Sequence, residues 1–155
     1  MKRALTLFVV CFITISLSGC GDLNAAYDDD AKIAKSGDSY SASSLGVTNS
    51  GKELSVSSGT MTGTRTIWTY NAKSEGDVSF SYLLSVPEGG KAKLVLITPD
   101  NEVVLLVENA DNTVVSEMRS HTVSLKQGKN RIKIVGYDAP KFELKLRVDV
   151  GNLEW

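Results

Sequence analysis

Cysteine is almost absent from this chain: Cys11 and Cys20 are the only two among 155 residues. Everything after residue 20 therefore lacks a thiol. That excludes a cysteine nucleophile, thiol redox chemistry, a disulfide framework and a thiolate-held metal for that part. Histidine is scarcer still, with His121 alone. A histidine base needs a partner within reach, and zinc sites draw on several histidine or cysteine ligands. No Gly-x-Ser-x-Gly elbow and no glycine-rich phosphate loop is present. The expectation is a non-catalytic chain without cofactor or metal. Charge is nearly balanced, at a formal −1. Without the first twenty residues, which hold Lys2 and Arg3 and no acid, it becomes −3. That mild negative balance argues against a nucleic-acid partner.

Long apolar runs are missing too, with one exception at the start. Met1-Lys2-Arg3 is basic, Ala4 to Ser16 is largely apolar, and Leu17-Ser18-Gly19-Cys20 follows. The run to Gly19 is short for a membrane span, which needs about 20 residues. A charged start, an apolar middle and small residues describe an export signal. Leu17-Ser18-Gly19-Cys20 resembles the lipobox of bacterial lipoproteins: an aliphatic residue, two small ones, then cysteine. The resemblance implies cleavage before Cys20, a diacylglycerol on its sulfur and an acylated amine. It therefore implies a membrane partner held through lipid on Cys20, outside the cytoplasm. Two or three chains hold essentially permanently, whereas one holds only reversibly. In hosts with two membranes, aspartate directly after the cysteine favours retention at the inner one. Gly21 stands there instead, which leaves the outer membrane open.

About 135 residues follow the signal, enough for one domain and a tether. Residues 20–50 read as that tether. They include Asp28-Asp29-Asp30 and a small polar stretch from Ser36 to Ser44, with few large apolar side chains to offset ordering entropy. A flexible coil of that length would hold a domain on the order of 30 Å from the bilayer. The three aspartates read as solvated linker, since they lack the spaced ligands and glycine of a calcium loop.

From residue 51 to 155 the pattern has period two. Val78, Phe80, Tyr82, Leu84 and Val86 alternate with Ser79, Ser81, Leu83 and Ser85, and Pro87-Glu88-Gly89-Gly90 closes that strand. Lys91–Thr98 and Glu102–Glu108 are β-rich runs joined by Pro99-Asp100-Asn101. Both are apolar on both parities, as in strands covered on two sides or central to a sheet. Val123 and Leu125 lead through Lys126-Gln127-Gly128-Lys129-Asn130 to Ile132 and Ile134. A loop is expected at Gly136–Pro140. Phe142, Leu144, Leu146, Val148 and Val150 then alternate with Lys141, Glu143, Lys145, Arg147 and Asp149. A one-residue slip would bury the charged set, so register is firmly specified. With Leu54–Ser58 and Met61–Asn71, eight or nine short strands and no amphipathic helix emerge. The fold class is all-β, an antiparallel two-sheet sandwich. Residues Val123 to Ile134 resemble the late hairpin of jelly-roll carbohydrate-binding modules, which implies a jelly-roll-like sandwich and a possible glycan partner.

Candidate ligand-binding residues are aromatic. Trp68 and Tyr70 share a strand face with Thr64 and Thr66, while Ile67 takes the other. If Ile67 faces the core, Trp68 and Tyr70 form an exposed platform suited to the apolar faces of sugar rings. If Trp68 and Tyr70 are core, the platform does not exist. Tyr137, beside Asp138 in the expected loop, is a further candidate. His121 shares parity with Val123 and Leu125 and reads as a packed or edge residue. Asp100, Glu102, Glu143 and Asp149 lie on polar faces or turns and read as solvated surface. The functional expectation is a lipid-anchored module with a binding or structural role at the cell envelope, directed at a glycan or an envelope protein. A glycan-recognition module is the alternative, and a carboxylate hydrolase a more remote one.

Overall fold

A computed structural model describes residues 22–110 and 114–155. Cys20 and the leader lie outside the described residues. Nine antiparallel strands are present among those described: β1 (Ser39–Ser43), β2 (Gly46–Asn49), β3 (Glu53–Ala72), β4 (Gly76–Ser85), β5 (Lys91–Ile97), β6 (Val103–Ala110), β7 (Arg119–Leu125), β8 (Gly128–Val148) and β9 (Asn152–Leu153). Among the described residues the only helical elements are a 3-10 turn at Leu23–Ala26 and α1, a single turn at Asp30–Ile33.

Two long strands organise everything else. β3 and β8 pair from Glu53↔Arg147, through Met61↔Ala139 and Gly63↔Gly136, to Ala72↔Gly128. The two runs Leu54–Ser58 and Met61–Asn71 are thus one strand. Each long strand gives one half to each layer. One layer runs β6–β5–β8–β3–β9 through the first half of β8 and the second half of β3. The other runs β7–β4–β8–β3–β2 through the opposite halves. β1 lies across the change of layer, from Ser39↔Thr64 to Ser43↔Thr60. At that crossing, a Cβ on Gly136 would stand 2.7 Å from the Met61 carbonyl oxygen. Only glycine lets the two backbones approach so closely.

The expected loop at Gly136–Pro140 is therefore not a chain reversal. β8 continues through it, because it stays paired with β3 on both sides. Asp138, at φ 42°, takes up the irregularity within the strand.

The main core fills the space between the layers. Leu54, Val56, Phe80, Leu84, Leu144 and Leu146 come from one layer, and Ile67, Trp68, Leu94, Leu96, Ile132 and Ile134 from the other. The last alternating run behaves as expected: Phe142, Leu144, Leu146 and Val148 are buried. Val150 lies past the end of β8 and is exposed.

A second, smaller core lies on the outer face of the first layer. Val95, Ile97 and Val135 are covered there by Tyr27 and Ile33. This explains why β5 is apolar on both parities. β6 differs from expectation: among the described residues it pairs with β5 alone, and Val104 and Leu105 are exposed along this edge.

The stretch 22–50 departs most from the sequence reading. It is ordered against the sandwich rather than a free coil. Tyr27 and Ile33 are fully buried, and β1 and β2 extend the edge of β3. Each such side chain contributes about 1.5–3 kcal/mol by burial, enough to help offset the ordering of its neighbours.

Candidate binding site

Strand periodicity fails at Trp68, for a local reason. Thr66 opposes Lys133 and Trp68 opposes Ile132, so Ile67 is an extra residue in a β-bulge. The bulge turns both Ile67 and Trp68 into the core, where they are 0% and 1% exposed. Trp68 is thus not part of an exposed platform, which corrects that expectation. Its Nε1 donates to the Val150 carbonyl at 2.7 Å, so the buried polar atom is satisfied.

Tyr70, two residues on, is only partly buried. Its ring lies 5.9 Å from that of Trp68, tilted by 31°. Tyr70 lines a shallow recess of about 290 Å³ with Thr69, Asn71, Lys129 and Asn152. The hairpin before β8 sets one wall. Asn130, fully buried, donates from Nδ2 to the Lys126 and Gly128 carbonyls at 2.7 and 3.0 Å, which closes the turn and fixes Lys129 beside Tyr70. β9, paired to Trp68 and Thr69, brings Asn152 to the opposite side. One aromatic ring, two carboxamides, a hydroxyl and an ammonium meet there. These groups present a ring face and hydrogen-bond donors and acceptors side by side at one surface.

Tyr137 is not part of that recess. It is 38% exposed and opposes Lys91, next to the crossing of β3 and β8. Seven residues of β8 separate it from Asn130, the partner of Tyr70, a distance of about 23 Å along a strand. Tyr137 meets Tyr27 edge-on at 6.0 Å, and the Lys91 ammonium lies 4.2 Å from the Tyr27 ring and 5.3 Å from that of Tyr137. Lys93 lies 4.7 Å from the Tyr27 ring. The Tyr27 hydroxyl donates to Glu108 at 2.6 Å. Burial, then that carboxylate, pushes the Tyr27 phenol well above its ordinary range.

The remaining sequence candidates are surface groups. His121 is exposed, with its ring 5.6 Å from Phe80. Lys126 donates to Asp100 at 2.9 Å and Glu102 at 2.8 Å. The Thr98 hydroxyl and then Lys126 hold the Asp100 carboxyl down to about 2. Glu143 pairs with Lys145 at 3.5 Å, and Asp149 with Lys52 at 3.5 Å. Among the described residues no group of three or more His, Cys, Asp or Glu is placed to hold a metal ion.

A buried charge cluster went unread in the sequence. Lys133 is fully buried and donates to the Lys35 and Gly37 carbonyls at 2.7 and 2.9 Å, with Asp38 Oδ1 at 3.2 Å. Arg131 donates to the Lys35 and Ala34 carbonyls at 2.9 and 2.8 Å. Asp38 also accepts from the Thr66 amide and hydroxyl, both at 2.9 Å, and from Arg65 at 3.3 Å. Burial lowers the Lys133 ammonium below the usual lysine range, and Asp38 opposes that shift. These cations grip carbonyls that α1 and the following turn leave unpaired. The cluster is a clasp that holds the N-terminal segment to the sheet. The signal for it was Arg131 and Lys133 sharing the parity of apolar Val135.

No protein-family model and no curated protein matches this chain. Among solved structures it is similar to a carbohydrate-binding module from Cellvibrio mixtus lichenase 5A, solved in complex with cellotriose. That likeness covers 78% of this chain and 93% of the other, at 16% identity and a TM-score of 0.39. A likeness at that level carries no functional residue across.

Proposed function

We propose that this chain is a lipid-anchored β-sandwich with a non-catalytic binding or structural role on the extracytoplasmic face of a bacterial envelope. The observation that carries the reading is Leu17-Ser18-Gly19-Cys20, placed at the end of a short apolar run that begins with Lys2 and Arg3. Mass spectrometry of the protein recovered from cell membranes tests the anchor. Acyl chains on Cys20, loss of residues 1–19 and release of a Cys20→Ala variant from the membrane are the expected results. A mature form that retains residues 1–19 without lipid refutes it.

Glycan recognition is a second reading, favoured by the recess at Tyr70. Trp68 is in ring contact with Tyr70, so its fluorescence reports occupancy. A change on glycan titration, lost in Tyr70→Ala with the fold intact, supports this reading. A flat response across a broad glycan array removes it.

A further inference from the structure

We propose that the anchored chain stands on the bilayer by the end of the sandwich where β3 and β8 cross, with Tyr137 at headgroup level and the Tyr70 recess turned outward. The inference rests on lipidation of Cys20. Its basis is that the chain is fastened almost from the anchor onward. Asp22 accepts from the Asn24 amide at 3.0 Å and caps the turn Leu23–Ala26. Asn24 donates to Asp138 at 3.0 Å, and the buried Tyr27 and Ile33 follow directly. Two residues of chain from Cys20 to Asp22 span at most about 7 Å, whatever their conformation. With the acyl chains in the bilayer, Asp22 is confined to the headgroup layer or just above it.

What surrounds Asp22 then decides which surface meets the lipid. Asp138 accepts from Asn24 and from Thr62, the latter at 3.3 Å, so the crossing is next to the capped turn. The turn ending at Gly90 packs on the Asp138 backbone. Tyr137, one residue from Asp138, exposes part of its ring between Lys91 and the aromatic face of Tyr27. A partly exposed phenol matches the bilayer interface, where tyrosine places its ring among acyl ends and its hydroxyl among headgroups; the Lys91 ammonium beside it is paired with Asp28 at 3.7 Å. The opposite end carries the turns at 73–75 and 126–127 and the recess at Tyr70. It lies about 23 Å further out along β8. The anchor and the recess therefore occupy opposite ends.

The test uses single cysteines, each carrying a nitroxide, since Cys20 as a thioether does not react. Ala25→Cys and Glu88→Cys mark the crossing end; Ser74→Cys and Gln127→Cys mark the other. All four positions are exposed. Each protein is purified with its lipid and reconstituted in phosphatidylethanolamine–phosphatidylglycerol vesicles containing a nickel-chelating headgroup. Nickel should relax the labels at residues 25 and 88 severalfold more than those at 74 and 127. Insertion of about twenty Gly-Ser residues between Gly21 and Asp22 should erase that difference. Equal relaxation at both ends, or stronger relaxation at 74 and 127, overturns the orientation while acylated Cys20 leaves the lipoprotein reading standing. Absence of acyl groups on Cys20 overturns both.

Discussion

Lys133→Met isolates what the buried clasp contributes. Methionine keeps most of the unbranched stem, so the cavity left beside Val95, Ile97 and Val135 is small and the main loss is polar. The ammonium gives up two carbonyls, at 2.7 and 2.9 Å, and the Asp38 carboxylate at 3.2 Å. Charge-assisted hydrogen bonds are each worth about 1.5–3 kcal/mol, but lysine no longer has to be desolvated in the variant. Removing one partner of a buried pair typically costs about 3–5 kcal/mol, because the other groups are left behind. Asp38 keeps Thr66 and Arg65, which puts the expected cost at the low end, about 3 kcal/mol.

That loss should be local before it is global. The amides of Ile33 and Ala34, bonded to the Asp29 and Asp30 carbonyls, report on the docked segment. A loss of about 3 kcal/mol corresponds to roughly a hundredfold faster hydrogen exchange at these amides. Core amides of β3 and β8 should change much less. Unchanged exchange at Ile33 and Ala34 would refute the argument that Lys133 holds the segment. Equal acceleration throughout both long strands would refute the claim that the segment can detach separately.

Trp68→Ala should cost about 3–5 kcal/mol, read by denaturant unfolding, as expected of a buried aromatic rather than an exposed platform; near-wild-type stability would contradict its place in the core. Tyr27 holds its proton more tightly when folded, so its contribution is complete below about pH 10 and is lost as pH rises further; Tyr27→Phe should flatten that alkaline loss of thermal stability. The Asp100 carboxyl, held down to about 2, contributes stability that is present above about pH 4 and lost as pH falls through 2. In Thr98→Val an NMR titration should find that carboxyl moved up toward the ordinary aspartate range, and an unmoved midpoint would contradict the role given to the Thr98 hydroxyl.

The regular strands were readable because their burial is one-sided or complete. Phe142, Leu144, Leu146 and Val148 face one core while Lys141, Glu143, Lys145 and Arg147 face outward, and the alternation says so directly. Three features resisted the same logic. The bulge at Ile67 shifts parity by one residue, which is invisible to a period-two reading, so the strand pattern alone left the place of Trp68 open between core and surface. The crossing at Gly136–Pro140 has the glycine and proline of a turn, yet it is a bend inside a paired strand, because its partner bends with it. The N-terminal segment has just two large apolar residues that are fully buried, Tyr27 and Ile33, and their partners lie more than sixty residues away. A covered face was nonetheless implied: β5 carries Val95 and Ile97 on the parity opposite to Leu94 and Leu96, and that second face needed a lid.

Continuous pairing of the two longest strands explains why both change layer at one level. β3 and β8 remain hydrogen-bonded throughout, so neither can change layer unless the other changes at the same level. The register break between Met61 and Gly63 therefore falls opposite Gly136–Ala139, and the bend exposes the Asp138 carboxylate at the sandwich edge. That carboxylate takes Thr62 from β3 and Asn24 from the N-terminal turn, joining the bend to the start of the ordered chain. The other end is free of this constraint and is built from short turns such as Ser50–Lys52 and Lys126–Gln127. A surface recess forms there without disturbing the crossing, between Tyr70, Lys129 and Asn152. The crossing and the recess therefore lie at opposite ends of the two long strands, a consequence of the same strand geometry that closes the core.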